Sequence, residues 1–151
     1  WYKDECNNSY TYSAISKDLY NWEVLGVEVN DCSHEGANVF EFGGVKWMIT
    51  DFWRGLAVYR SEDFTHWERC KENILSIPGK RPLDGAFGRH ADVLVVGDEA
   101  YIFYFCHPYE NLDKEHKTAE NQALTAIHAA RLTTDGKQLY CNRDEVFSWK
   151  L

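Results

Sequence analysis

The strongest constraint on the fold is an internal repeat of short strand-forming segments. Residues 39–49 and 93–103 each contain an apolar run, a glycine-bearing turn and a second apolar run, and they align with a constant offset of 54. This pattern is typical of a β-hairpin. The motif Ser-x-Asp-x-x-x-Trp also occurs twice, over residues 16–22 and 61–67, which are 45 positions apart. Because a set of four short strands recurs about every 45 residues, the sequence predicts an all-β fold, a β-propeller of four-stranded antiparallel blades.

The repeat also divides the chain into blades. It predicts the end of one blade over residues 1–31, a second blade over 32–78 and a third over 79–151. The third blade carries a polar insertion at about 107–123, expected to be a long loop or a short helix. A propeller needs roughly four to eight blades to close, and an open arc leaves apolar faces in water. Since a further full repeat would start ahead of Trp1, we expect missing N-terminal blades, or another chain, to complete the ring.

Composition and charge exclude several classes of protein. Sixteen Lys and Arg residues against 24 Asp and Glu residues give a net charge of −8, so no nucleic-acid partner is expected, because binding to phosphate backbones needs clustered cations. No apolar run approaches the roughly 18 residues of a membrane-spanning helix, and no signal-peptide pattern is present, so no membrane association is expected. The five cysteines form no close pair, which favours free thiols in a reducing compartment and predicts a cytoplasmic protein.

The meander of each blade sorts residues onto two faces. The start of the first strand and the loop between the second and third strands share one face, which is expected to bring Glu35, the loop 51–54, residues 89–90 and His107 together near the propeller axis. The two Ser-x-Asp motifs fall on the opposite face. Their aspartates are expected to accept backbone N–H groups in tight turns, while the tryptophans that follow, Trp22 and Trp67, are expected to pack between blades.

Glu35 is the candidate for acid catalysis. A carboxylate held near a propeller axis and followed by an apolar strand loses solvation, and this favours the protonated form that a general acid needs near neutral pH. The alternative is a solvated glutamate on a surface loop, which is the more common role for a single Glu. The residues themselves leave both interpretations open.

Three segments together resemble glycoside hydrolase family 43: residues 34–40 (His-Glu-Gly-Ala-Asn-Val-Phe), the strand 47–49 and the repeat at 58–67. The resemblance implies a five-bladed β-propeller that cleaves arabinose-, xylose- or galactose-containing glycans, usually with inversion. The third blade of that family opens with a Glu-Gly-Pro segment that carries the general acid. The resemblance therefore implies that Glu35 is the catalytic acid, and Ala37 occupies the position of the family's proline.

The same resemblance implies a metal-binding role for His90. The fifth blade of the family opens near a histidine that often helps to hold a calcium ion or an ordered water at the axis, and residues 88–93 match that position. A calcium ion near His90 is the one cofactor that the resemblance suggests, and none is required for the reaction. On this alignment the chain is the end of blade two followed by blades three and four or five. The general base, an Asp of blade one, and the tuning Asp of blade two then lie outside it, so the chain alone is expected to be inactive.

Five further residues are candidates for binding substrate. Trp53 either stacks on a sugar ring or packs within its loop. Asp51 and Arg54 either bind sugar hydroxyls or pair with each other. Arg89 aligns with Glu35 at the offset of 54 and is expected to point at the axis, where it would position a carboxylate or an anionic substrate. His107 either lines the same pocket or is an ordinary loop residue.

Two functions from different classes remain open at this point. The first is a hydrolase that acts on an oligosaccharide or polysaccharide. The second is a non-catalytic propeller that binds carbohydrate or protein and keeps the aromatic loops without an acid–base pair. A transferase or phosphorylase on the same type of propeller is a third, because one fold hosts several chemistries.

Overall fold

The computed structural model describes residues 2–3 and 8–149 as three antiparallel sheets that follow one another along the chain. The first sheet contains β1 (Tyr2–Lys3), β2 (Ser9–Ser16) and β3 (Trp22–Val29). The second contains β4 (Glu35–Phe42), β5 (Val45–Asp51), β6 (Leu56–Ser61) and β7 (Glu68–Arg69). The third contains β8 (Arg89–Val96), β9 (Glu99–Cys106), β10 (Ala126–Thr134) and β11 (Leu139–Cys141). In each sheet neighbouring strands are consecutive in the chain, so the predicted all-β architecture of antiparallel meander blades is confirmed.

Tight glycine turns close the first hairpin of the second and third sheets. Gly43, Gly44 and Gly97 all have positive φ, at 61°, 74° and 58°. These conformations match the twist of two-residue hairpins and are unfavourable for residues with a Cβ. The register places Phe42 opposite Val45 in one hairpin and Val96 opposite Glu99 in the other, which fixes which side chains of each sheet face the core.

The second sheet is covered on both faces. One face packs against the third sheet, where Trp47, Ile49 and Val58 meet Ile102 and other buried side chains of that sheet. The other face packs against the end of the first sheet through a smaller cluster that contains Met48 and Tyr59 together with Val29. Consecutive residues of β5 are therefore buried whichever way they point. This is the packing expected when blades stack face to face around an axis.

The first strands of the second and third sheets carry the same irregularity. The register of β4 shifts by one residue between Glu35 and Asn38, and that of β8 shifts between Arg89 and Asp92. Extra residues of this kind are β-bulges, which turn side chains in new directions. The two strands lie side by side, and the Asn38 amide donates to the Asp92 carboxylate over 2.7 Å, joining two positions that are 54 residues apart.

Both Ser-x-Asp motifs form side-chain-stabilised turns, as predicted. The Asp18 carboxylate accepts the backbone N–H groups of Tyr20 and Asn21, and Asp63 accepts those of Thr65 and His66. Backbone and side-chain hydrogen bonds from Asn21 hold the pKa of Asp18 well below its usual range.

The tryptophans that follow these turns differ from each other. Trp67 packs against the cluster between the first and second sheets. Trp22 is 58% exposed and its indole N–H donates to the Leu19 carbonyl of its own turn, so its packing between blades stays a prediction for the complete propeller. Within the described residues no sheet lies over β3 to cover Trp22.

The segment between β9 and β10 is mostly loop. It contains a 3₁₀ turn at Lys114–His116 and a short helix, α1 (Ala119–Ala123), whose start is closed by reciprocal hydrogen bonds between Thr118 and Asn121. Within residues 2–3 and 8–149 no helix has the length and apolar character to cross a membrane.

Four cysteines lie among the described residues, and Cys6 lies outside them. Cys32, Cys70, Cys106 and Cys141 are free thiols. Burial raises the pKa of the Cys141 thiol to about 12, and it also raises the pKa of Cys70. Since the thiolate is the reactive form, these two side chains are inert packing groups.

Candidate functional site

Glu35, Asp51 and His90 meet where the second and third sheets adjoin. Glu35 begins β4, Asp51 ends β5 directly opposite it, and His90 is the second residue of β8. His90 Nδ1 lies 3.2 Å from Asp51 Oδ2 and 3.7 Å from Glu35 Oε1. The strand ends of two neighbouring blades thus bring together three residues that are widely separated in sequence.

Asp51 is fully buried, and both of its carboxylate oxygens accept hydrogen bonds from backbone N–H groups. Its Oδ1 accepts the Trp53 N–H at 2.7 Å, and its Oδ2 accepts the His90 N–H at 3.1 Å. Arg54, with which Asp51 was expected to pair or to share sugar hydroxyls, is exposed. The carboxylate of Asp51 therefore links the backbones of Trp53 and His90. It is not exposed to solvent, as binding to a sugar hydroxyl would require.

Trp53 contacts Glu35. Its indole Nε1 donates to Glu35 Oε1 at 3.2 Å, and Trp53 is 40% exposed, so part of the ring is open to solvent while its N–H is bound to Glu35. Trp53 has a φ of 66°, which is uncommon for a residue other than glycine and costs roughly 1–3 kcal/mol. The same range of φ occurs at Leu19, Phe64, Leu75 and Leu83, so at Trp53 it shows that the surrounding structure holds the backbone in place, not what the side chain does.

His90 has a similarly unusual backbone. Its φ is 34°, and its imidazole stacks on the Phe105 ring with centroids 5.9 Å apart and planes inclined by 18°. On the other side the ring approaches Gly36, where a Cβ would come within 2.7 Å of His90 Cδ2. The glycine after Glu35 is thus required for a specific reason: it makes room for the imidazole beside the carboxylate.

Arg89 does not share this cluster. It occupies the position in β8 that Glu35 occupies in β4, but its Nη2 pairs with Glu110 Oε2 at 2.7 Å. The second oxygen of Glu110 accepts the Phe87 N–H, so this carboxylate fixes the insertion loop to the start of β8. Arg89 therefore does position a carboxylate, but that of Glu110 in its own blade, and its orientation towards the axis stays a prediction.

His107 flanks the cluster from the insertion. Its ring meets the edge of Phe105 with centroids 5.4 Å apart, and Phe105 in turn stacks on His90. Its Nδ1 lies 3.3 Å from the Thr125 hydroxyl at the far end of the insertion. His90, Phe105 and His107 thus form a row of contacting rings, of which His90 approaches Glu35.

The three clustered residues do not fit a calcium ion. Ligand atoms of Glu35, Asp51 and His90 all lie within 4.8 Å of one another. Calcium prefers six to eight oxygen ligands, but one of these residues offers an imidazole nitrogen and both oxygens of Asp51 already accept backbone N–H groups. No step of the chemistry below depends on a metal.

A second buried polar cluster, centred on Asp84, escaped the sequence analysis. The fully buried Asp84 carboxylate pairs with Arg143, with Arg81 at 3.0 Å and with the Tyr104 hydroxyl at 2.9 Å. Arg143 also donates to the carbonyls of Ile77 and Ala86. Burial alone would raise the pKa of Asp84, but the hydrogen bond and charge of Arg143 outweigh it and hold that pKa below its ordinary value of 3.8. The cluster ties the C-terminal segment to the linker between the second and third sheets.

No family profile and no curated protein sequence matches the chain. Among solved structures it is similar to the GH32 β-fructofuranosidase of Bombyx mori, with 17% identity, a TM-score of 0.59 and coverage of 89% of this chain and 32% of that one. It is also similar to a thermostable family-43 glycoside hydrolase, with 15% identity, a TM-score of 0.59 and coverage of 93% and 53%. The chain thus spans about half, or less, of each of these proteins. Its fold is part of a β-propeller of the type found in glycoside hydrolases, and the likeness extends to two families.

Proposed function

We propose that this chain is the acid-bearing part of a propeller glycoside hydrolase of the family 43 type. Glu35 is the general acid, and the substrates are arabinose-, xylose- or galactose-containing oligosaccharides or polysaccharides. The observation that carries this proposal is the surrounding of Glu35, a side chain 24% exposed that accepts from the Trp53 indole and lies beside the His90 imidazole. A partly enclosed carboxyl group with fixed neighbours is what proton donation to a bound ligand requires.

In the proposed reaction Glu35 donates its proton to the glycosidic oxygen as the bond to the anomeric carbon breaks. The Glu35 carboxylate that remains is stabilised by the indole N–H of Trp53. This N–H needs no rearrangement, because Asp51 already binds the backbone N–H of the same residue. The exposed face of Trp53 would stack on the C–H face of a sugar ring, and His107, at the end of the row of rings, would contact the same ligand.

The general base belongs to a part of the propeller that this chain does not supply. An inverting pair of carboxyl groups is separated by roughly 6.5–9.5 Å so that water fits between them. Asp51 is unsuited to that role, because it is fully buried, bonded to two backbone groups and within 4.8 Å of the Glu35 oxygen. We propose that missing N-terminal blades, or another chain, provide the base and close the ring. Residues 1–151 alone are then expected to associate and to show no turnover.

The experiment replaces Glu35 by Gln in a protein that contains the complete propeller. The variant keeps the shape of the side chain and loses the transferable proton. We expect kcat/KM on natural glycans to fall roughly 10²–10⁴-fold, while an aryl glycoside, whose leaving group needs little protonation, loses much less. Glu41→Gln is the matched control, because Glu41 is exposed on the same strand.

Equal losses on both substrates would remove Glu35 from the acid role. Binding of glycan without any turnover in the complete wild-type propeller would favour the alternative function, a non-catalytic carbohydrate-binding propeller.

A further inference from the structure

The carboxylate of Asp51 joins two kinked backbone positions that belong to different sheets. Trp53 follows β5 of the second sheet and His90 lies in β8 of the third, and both have positive φ without being glycine. Each donates its backbone N–H to a different oxygen of Asp51, at 2.7 Å and 3.1 Å. Both side chains then approach the same oxygen of Glu35, the indole at 3.2 Å and the imidazole at 3.7 Å.

Only a carboxylate satisfies this arrangement. Asparagine would offer one acceptor and would turn its amide N–H₂ towards the second backbone N–H, leaving a donor facing a donor. Asp51 is fully buried, so water cannot replace the missing acceptor. Asp51 Oδ2 also lies 3.2 Å from His90 Nδ1, and the Asp51 side chain has no exposed surface of its own, so its effect on chemistry must pass through Trp53 and His90.

We propose that Asp51 is the positioning residue of the acid: it fixes the indole and the imidazole beside the same oxygen of Glu35 and aligns the second sheet with the third at the site. This inference rests on the proposed acid role of Glu35. The inference adds that Glu35 acts as an acid only while the third sheet is held against the second by the hydrogen bond between the His90 N–H and Asp51. It also replaces the expectation that Asp51 binds sugar hydroxyls.

The first test measures backbone hydrogen exchange in the complete propeller. In the wild type we expect slow exchange at the amides of Trp53 and His90, although Trp53 lies in an exposed loop. In Asp51→Asn at least one of these amides should exchange much faster. Fast exchange at both amides in the wild type would overturn the proposal even if the variant fails to fold.

The second test compares activity on two substrates. We expect Asp51→Asn to lower kcat on natural glycans about 10²-fold, as for a misplaced catalytic group, with little change in KM and a smaller loss on an aryl glycoside. Asp84→Asn is the matched control, since it also alters a fully buried carboxylate but lies in the other cluster. When activity is normalised to the amount of folded protein, Asp84→Asn should change kcat on both substrates equally or not at all.

The outcomes separate the two proposals. If Glu35→Gln is selective for natural glycans but Asp51→Asn is not, the positioning role is wrong and the acid role stands. If Glu35→Gln is not selective, the acid role fails, and with it the catalytic part of this inference. The exchange measurement would then still decide whether Asp51 holds the two kinked residues in place.

Discussion

The His90 ring lies against the Cα of Gly36, its counterpart 54 residues earlier in the chain. Each residue occupies the bulge that follows the first residue of its strand, and each has positive φ, 58° at Gly36 and 34° at His90. One blade thus uses the residue type that tolerates this conformation, and the next uses a histidine. The surrounding structure holds His90 in this conformation through the Asp51 carboxylate, which accepts its backbone N–H, and through the stacked Phe105 ring.

Gly36→Ala is expected to destabilise the protein more than Gly97→Ala. Both glycines have a φ of 58°, so the cost of the left-handed conformation, roughly 1–2 kcal/mol, is the same. A Cβ at Gly97 meets no atom within 4 Å, whereas one at Gly36 would overlap the His90 ring. Overpacking should add roughly 1–3 kcal/mol to the loss in the free energy of unfolding, measured with urea. Equal losses in the two variants would contradict the close packing of His90 on Gly36.

Two substitutions of Trp53 should separate its two contacts. Trp53→Phe keeps an aromatic face and removes the N–H donor to Glu35, and we expect kcat on natural glycans to fall roughly tenfold, the value of a hydrogen bond to a charged group. Trp53→Ala should in addition raise KM, because the stacking surface is lost. Trp22→Phe, in an exposed turn, serves as control. A Trp53→Phe enzyme with wild-type kinetics would show that the indole N–H has no part in the reaction.

Asp84→Asn should destabilise the protein in a pH-dependent way. At pH 7 the substitution leaves Arg143 without its buried partner, which costs roughly 3–5 kcal/mol. The pKa of Asp84 is lower in the folded protein than the ordinary 3.8, so below that value the unfolded chain takes up the proton first. The stabilisation is complete above about pH 4 and is lost as the pH falls through the folded pKa.

Urea unfolding of wild type and Asp84→Asn at pH 7 and at pH 3 tests this expectation. The difference between the two proteins should shrink at the lower pH, since all other carboxylates are common to both. A constant difference would mean that the Asp84 carboxylate is not stabilised as an anion.

His34 should make stability depend on pH in a higher range. This fully buried ring bonds to the Thr11 hydroxyl at 2.7 Å and to the Cys32 carbonyl at 2.9 Å, joining the first and second sheets. Burial lowers the pKa of His34 from its ordinary value of 6.5, although the Cys32 carbonyl opposes this effect. The contribution of the neutral ring is therefore complete above about pH 6.5 and is lost as the pH falls through the folded pKa.

Comparison of wild type with His34→Gln checks the second pH dependence. The free energy of unfolding of the wild type should decrease between pH 7 and pH 5, and this decrease should be smaller in the variant. His116→Gln, at an exposed position, should retain the wild-type slope. An unchanged slope in His34→Gln would assign the dependence to another group.

Local and periodic features were predictable from the sequence, and isolated long-range partners were not. The hairpins of 39–49 and 93–103 follow from alternation and turn glycines, which act over a few residues. The repeat also placed Glu35, Asp51 and His90 at strand ends of neighbouring blades, which is why their meeting could be expected. Asp84 and Arg143 are 59 positions apart with no motif around either, so nothing in the sequence indicated their pairing.

Arg89 shows what the repeat leaves out. By alignment it is the equivalent of Glu35, and a strictly repeating blade would point it the same way. The insertion that follows β9 has no counterpart in the second sheet, and its Glu110 supplies a local anion for the guanidinium. The expectation for Trp22 assumes a neighbouring sheet on both sides of its blade, and the described residues supply none next to Trp22.

The double coverage of the second sheet has a consequence for how such a site can be lost. Glu35 and Asp51 belong to the second sheet, which is packed on both faces, whereas His90 belongs to the third sheet. The cluster therefore exists only while these two sheets are packed together. Any parting of these sheets takes the imidazole away from the carboxylates while every strand remains paired. A protein of this kind can therefore lose the contact between Glu35 and His90 while its β-structure stays intact.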